Sequence, residues 1–254
     1  MSKTALIDAL NRFDVQRVQS ILEAKPELAS LQLDKGYNLL QICCMRSTAG
    51  DRQAAARQLR LAKWLVGYGF DPRVTYTTAP GEDGEEDPAT LSLVWFAVAR
   101  AQNNQLARYF MEQGAKASAM FAAAWWGNAD IIEDLVKHGD DVNNFVGATP
   151  FHMAIDVLYR GVEGKPELAK SRLKTVKEML RLGANPNIAA FNNTTPLHSV
   201  LEKGYDLEVF KLLLKHGANP DAPGKDGRTV REIASRKRDR RYFKALELSP
   251  QAGV

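Results

Sequence analysis

Apolar residues fall into short runs at helical spacing along most of the chain, and a glycine closes many of the runs. In the segment EVFKLLLKHG, Val209, Leu212 and Leu213 share one helical face. The closing glycines stand at Gly69, Gly114, Gly139, Gly183 and Gly217. Glycine enters the left-handed conformation that ends a helix without a Cβ clash. Helices this short are marginal in isolation. The pattern therefore predicts short helices that bury their apolar faces against one another and share one continuous core. The longest uninterrupted apolar stretch, Ala119 to Trp126, falls well below the roughly 18–20 residues of a membrane span.

Two segments align: GATPFHMAIDVL from Gly147 and NTTPLHSVLEKG from Asn193, which share the Thr-Pro-x-His core and the apolar spacing after it. Each is followed by a second apolar run that ends in Gly-Ala-Asn-Pro and then Asn or Asp. This order resembles the ankyrin repeat: a turn, T-P-L-H, a short helix, a loop, a second helix, then a closing glycine. In that family about 21 residues separate the Thr from the closing Gly. Leu93 to Gly114 and Ser118 to Gly139 are each 21 apart, and Thr195 to Gly217 is 22. Asn38 to Gly69 is 31 and Thr149 to Gly183 is 34, which predicts extra loop near residues 46–58 and 158–173. Gly114 to Ser118 is only 4, so the fourth repeat has almost no hairpin.

The resemblance covers about residues 1–246. It implies an all-α fold, an α-solenoid of stacked helix-turn-helix repeats with short or degenerate β-hairpin fingers. The implied organisation is a single domain, 1–254, of about seven repeats. Their approximate bounds are 1–35, 36–73, 90–117, 118–143, 147–187, 193–221 and 225–247, the last a C-terminal cap with a polar outer face. An acidic loop at 74–89 replaces a short hairpin, and 248–254 reads as a flexible tail.

Composition changes this picture little. Hydrophobic residues make up 45% and charged residues 25%, ordinary for a soluble globular protein, and the N-terminal segment meets Asn and charge too early for a secretory signal. A cytoplasmic location is expected. Cys43 and Cys44 are adjacent and form no disulfide framework. They stand where small core residues are expected, with a reactive thiol as the alternative. The net charge of +4 is weak support for a nucleic-acid or membrane partner. Residues 82–87, EDGEED, hold five carboxylates without the ligand spacing of a calcium loop. A solvated loop, a contact for a basic partner and a metal site all stay open there.

No histidine is left over for chemistry. In the family, the Thr and His of T-P-L-H hydrogen-bond the backbone around the turn, and Thr149, His152, Thr195 and His198 match those positions. Asn38 and Gln41 are their counterparts in the second repeat, whereas Phe96 and Phe121 replace His in the third and fourth. His138 and His216 lie at helix ends, where the helix dipole favours a cation. No zinc spacing, phosphate loop or nucleophile motif is present, so neither an enzyme nor a cofactor is expected. Enzyme chemistry would have to lie in an insertion such as 74–90 or 158–173.

The resemblance also implies a use: binding another protein on a concave face built from hairpin tips and first helices. The groove positions are Met45 and Arg46, Arg100 and Ala101, Trp125 and Trp126, Asp156 and Val157, and Glu202 and Lys203. The hairpin tips are Tyr37, Phe145, Val146, Phe191 and Asn192. Trp125 and Trp126 form the sharpest feature, since tryptophan concentrates at binding hot spots. They could equally plug the repeat that lacks a hairpin. The expected reading is a non-catalytic, monomeric interaction module with an unidentified protein partner. The alternative is that the basic run around Arg236, Lys237, Arg238, Arg240 and Arg241 binds nucleic acid or an anionic surface, against the plainer reading of a charged capping helix.

Overall fold

The computed structural model describes residues 2–32, 36–78, 90–158, 160–161 and 165–247. The acidic run 82–87 and the tail 248–254 lie outside the described residues. The chain divides into two compact units: the described residues up to Ala122 with Lys137–Asp140, and Ala123–Val136 with the described residues from Asp141 onward.

The first unit holds α1 (Lys3–Asn11), α2 (Val15–Ala24), a 3-10 turn (Pro26–Ser30), α3 (Leu39–Cys43) and α4 (Arg52–Tyr68). These are followed by β1 (Thr75–Thr77), β2 (Thr90–Ser92), α5 (Leu93–Phe96) running into a π-helical turn (Ala97–Ala101), and α6 (Asn104–Glu112). α7 (Met120–Trp126) begins in this unit. Each first helix packs on its own second helix, as α1 on α2, α3 on α4 and α5 on α6. It also packs on the first helix of the next repeat, as α1 on α3 and α3 on α5. Leu6, Leu10, Ile21, Leu39, Leu61, Leu65, Phe96 and Phe110 fill the space between them.

The second unit holds the end of α7, α8 (Ala129–Lys137) up to Val136, α9 (Pro150–Val157), α10 (Pro166–Arg181), α11 (Pro196–Glu202), α12 (Leu207–Lys215), α13 (Val230–Arg236) and α14 (Arg240–Glu247). The same pairing recurs: α9 on α10, α11 on α12 and α13 on α14, with α9 against α11 and α11 against α13. Phe151, Ile155, Leu197, Phe210, Leu213 and Val230 are its buried core. Burying one such side chain is worth about 1.5–3 kcal/mol.

Helix starts follow side-chain chemistry. Asp14, Asn38, Asp51, Ser92, Asn103, Thr149, Thr195 and Thr229 each accept a first-turn amide as N-cap. The glycines that close the repeats all take positive φ.

Two expectations need correction. The extra residues near 46–58 and 158–173 are not all loop: they lengthen the second helices, so that α4 has 17 residues and α10 has 16, against 9 in α6, α8 and α12. Asp51 caps α4 ahead of a run of good helix formers, and α10 starts with Pro166 at its first position and Glu167 in its first turn. The segment read as a loop at 74–89 also contains a strand. Thr75, Tyr76 and Thr77 pair antiparallel with Ser92, Leu91 and Thr90, so a finger is retained there.

Candidate interaction surface

The turns that carry the surface are fixed from within. Thr149 Oγ1 lies 2.8 Å from His152 Nδ1 and accepts the His152 amide at 3.3 Å, while the Thr149 amide donates to Nδ1 at 3.2 Å. With Nδ1 accepting, the proton sits on Nε2, which faces the Thr194 carbonyl at 3.3 Å. His198 repeats this arrangement, with Thr195 Oγ1 at 2.8 Å and the Arg228 carbonyl at 3.3 Å. Each imidazole thus ties its own turn to the backbone that leads into the next repeat. Burial holds the His152 pKa below its ordinary value.

Other repeats reach the same end by other means. Asn38 and Gln41 form a reciprocal capping box: the Asn38 amide donates to Gln41 Oε1 at 2.9 Å, and the Gln41 amide to Asn38 Oδ1 at 3.1 Å. In the third repeat Ser92 caps α5, and Phe96 packs edge-on against Tyr37 at 5.4 Å. Asp140 Oδ2 accepts the amides of Ala119 and Met120 at 2.7 and 2.9 Å, a role that sequence reasoning missed. Its one signal was a carboxylate directly after the closing Gly139.

Among the expected contact positions, Trp125 is 39% exposed, Trp126 46%, Phe145 51%, Val146 66% and Phe191 83%. Asn192, Glu202 and Lys203 are also exposed, and Asp156 is half-buried. All of these belong to the second unit. Its fingers are joined, because the Phe191 amide donates to the Gly147 carbonyl at 2.7 Å, next to the Val146–Ala148 bridge. A concavity beside them is lined by Ala148, His152, Asp156, Phe191, Asn192 and Lys203 among others. Across it Lys203 Nζ meets Asp156 Oδ1 at 2.5 Å. The Arg160 guanidinium lies 5.5 Å over the Trp125 ring.

Met45, Arg46 and Arg100 are exposed in the first unit. Arg46 Nη1 donates to the Asn11 carbonyl at 3.2 Å, and Arg100 lies 5.6 Å over Trp95. Three positions expected on the surface are buried instead. Tyr37 is 9% exposed and packs edge-on against Tyr76 at 4.6 Å as well as Phe96, so this tip residue serves as a core lid. Ala101 is buried in the π-helical turn, where its carbonyl accepts from the Thr48 amide and hydroxyl at 2.8 and 3.2 Å. Val157 is buried at the end of α9, and its carbonyl accepts from Arg172.

Cys43 and Cys44 are buried, and desolvation pushes the Cys43 thiol up to about 12. Of the basic residues expected to form a C-terminal surface, Arg236 and Arg238 are exposed, while Lys237, Arg240 and Arg241 are engaged within their own unit. Arg241 grips Asp239, Arg240 donates to the Ser235 carbonyl at 2.8 Å and covers the Phe243 ring, and Lys237 lies over Tyr242. Among the described residues, no group of three or more His, Cys, Asp or Glu is placed to hold a metal ion. No described helix is long and apolar enough to cross a membrane.

A family model described as ankyrin repeat matches residues 192–225. The chain is 27% identical over 180 residues to the transient receptor potential cation channel subfamily A member 1 of Homo sapiens, covering 67% of this chain and 15% of that protein. It is 33% identical over 91 residues to protein fem-1 homolog A of Bos taurus, covering 36% and 14%. The chain therefore spans only a small part of the length of these relatives. Among solved structures, the human ASB11 ankyrin repeat domain superposes with a TM-score of 0.69 at 19% identity, covering 100% of both chains. The ankyrin repeat domain of Bcl-3 gives 0.69 at 16% identity, covering 97% of this chain and 99% of that one. An ankyrin repeat domain from Acinetobacter baumannii AYE gives 0.58 at 24% identity, covering 85% and 99%. With the helix pairs, the Thr–His turns and the closing glycines in place, residues 192–225 match an ankyrin repeat and the chain has the fold of an ankyrin-repeat domain.

Proposed function

We propose that the protein is a non-catalytic interaction module whose second unit binds a partner protein through Trp125, Trp126 and the finger tips Phe145, Val146 and Phe191. The observation that carries this reading is the exposure of two adjacent indoles on α7, whose Ala123 and Ala124 are buried. Large aromatics left in water on a rigid scaffold are a cost to the free protein that a partner can recover. The Asp156–Lys203 pair and exposed Glu202 supply a polar rim. The non-catalytic reading is supported by the use of His152 and His198 as turn braces. The basic C-terminal surface is the weaker candidate, because Lys237, Arg240 and Arg241 already have partners within their own unit.

Affinity capture with the wild type, with Trp125→Ala/Trp126→Ala and with Phe191→Ala tests the proposal. A partner protein retained by the wild type should be lost from the double variant and weakened by the finger variant, each hot-spot aromatic being worth about 2 kcal/mol or more. Equal retention by all three would contradict it.

A further inference from the structure

The first unit carries a second feature, unrelated to the aromatic surface. Two shallow hollows lie where the α1–α2 turn meets the start of α4. Arg12, Phe13 and Arg57 line both, so the hollows are neighbours along one trough. Arg46 lines one end and Arg60 the other. Arg57 and Arg60 are three residues apart on α4 and share a face.

The charges in this trough are unevenly satisfied. Arg12 Nε meets Asp8 at 3.0 Å, and Arg46 uses one nitrogen on the Asn11 carbonyl. Arg57 and Arg60 are exposed and make no ion pair or hydrogen bond among the described residues. The two carboxylates in the lining, Asp14 and Asp51, are already used as N-caps, accepting the amides of Arg17 at 3.0 Å and Ala54 at 2.8 Å. Four guanidinium groups thus border one depression, and two are uncommitted. Such clustering raises the local positive potential and favours an anionic ligand. Arg57 also lies among the residues that lengthen α4 beyond the ordinary second helix.

We propose that this trough docks an acidic peptide segment of a partner protein, with Arg57 and Arg60 holding its carboxylates. The planar guanidinium fork suits paired bonds to a carboxylate. The trough is longer than a single anion needs, because its arginines run from Arg46 to Arg60. Asp51 lines one hollow and Asp14 the other, and these carboxylates would repel an unbroken row of phosphates. A peptide can space its carboxylates between them. The proposal is independent of the aromatic surface, which lies in the other unit.

Fluorescence anisotropy on the full chain tests it, using a short labelled Glu-rich peptide, its Gln-substituted counterpart and a short DNA duplex. The Glu peptide should bind, more weakly as salt rises, and the Gln peptide should not. Arg57→Glu/Arg60→Glu should weaken binding by about tenfold or more, while Trp125→Ala/Trp126→Ala should bind the peptide as the wild type does. Arg57→Gln/Arg60→Gln, with an unchanged melting curve, should fall between and guards against misfolding of the reversal variant. No binding of the Glu peptide, equal binding by the arginine variants, or tighter binding of the duplex through the same arginines would overturn the proposal.

Discussion

His152 and His198 each spend both ring nitrogens on the fold, one inside the turn and one on the backbone ahead. Gly224 leaves the room this needs, since a Cβ there would come within 2.7 Å of His198 Nε2. A pH dependence follows for His152. Burial lowers its folded pKa below the unfolded value of about 6.5, so on acidification the unfolded chain takes up the proton first. The associated stability is full above about pH 6.5 and is lost as pH falls toward the folded pKa. Melting curves between pH 7 and 5.5 should show the wild type losing stability faster than His152→Gln, so that the gap between them narrows. A gap that holds constant or widens would exclude this role. The Thr–His pairs could be read from sequence because the bonding is local, three residues apart. Tyr37 and Asp140 could not. Tyr37 meets Tyr76 and Phe96 only after folding, and Asp140 caps a helix about twenty residues upstream.

At the scale of elements, a count of residues between landmarks located both insertions but not their form. Spacing measures extra chain, and helix or loop is then decided by capping and by what the new turns touch. In α10 they touch a good deal. Ser171 Oγ donates to the Gly127 carbonyl at 2.7 Å, Lys174 Nζ meets Asp130 at 2.5 Å, and Arg172 donates to the carbonyls of Val157 and Arg160. The Arg172 stem also fills the space over Gly127, where a Cβ would lie 2.7 Å from its Cγ. Hydrogen bonds from a charged donor are worth about 1.5–3 kcal/mol. Arg172→Ala should therefore speed amide exchange in the first turns of α10 and around residues 157–161 well before global unfolding. Unchanged protection there would show that the extension holds without this anchor.

For the whole molecule, the fold class was legible because a repeat states its pattern several times. Even the degenerate second to fourth copies kept the closing glycines and the apolar spacing. The candidate surface was only partly legible, since family position predicts where a side chain sits but not whether a neighbour covers it. Trp125 keeps 39% of its surface exposed, whereas Tyr37, Ala101 and Val157 are covered. The central claim is that Trp125 and Trp126 are displayed for a partner rather than packed to complete their repeat. The melting temperature of the Trp125→Ala/Trp126→Ala variant tests that claim most directly. Two half-exposed indoles should cost only a few degrees, about 1 kcal/mol corresponding to roughly 2–4 °C in a chain of this size. A fall of about 10 °C or more, as expected for truncating two core tryptophans, would contradict it.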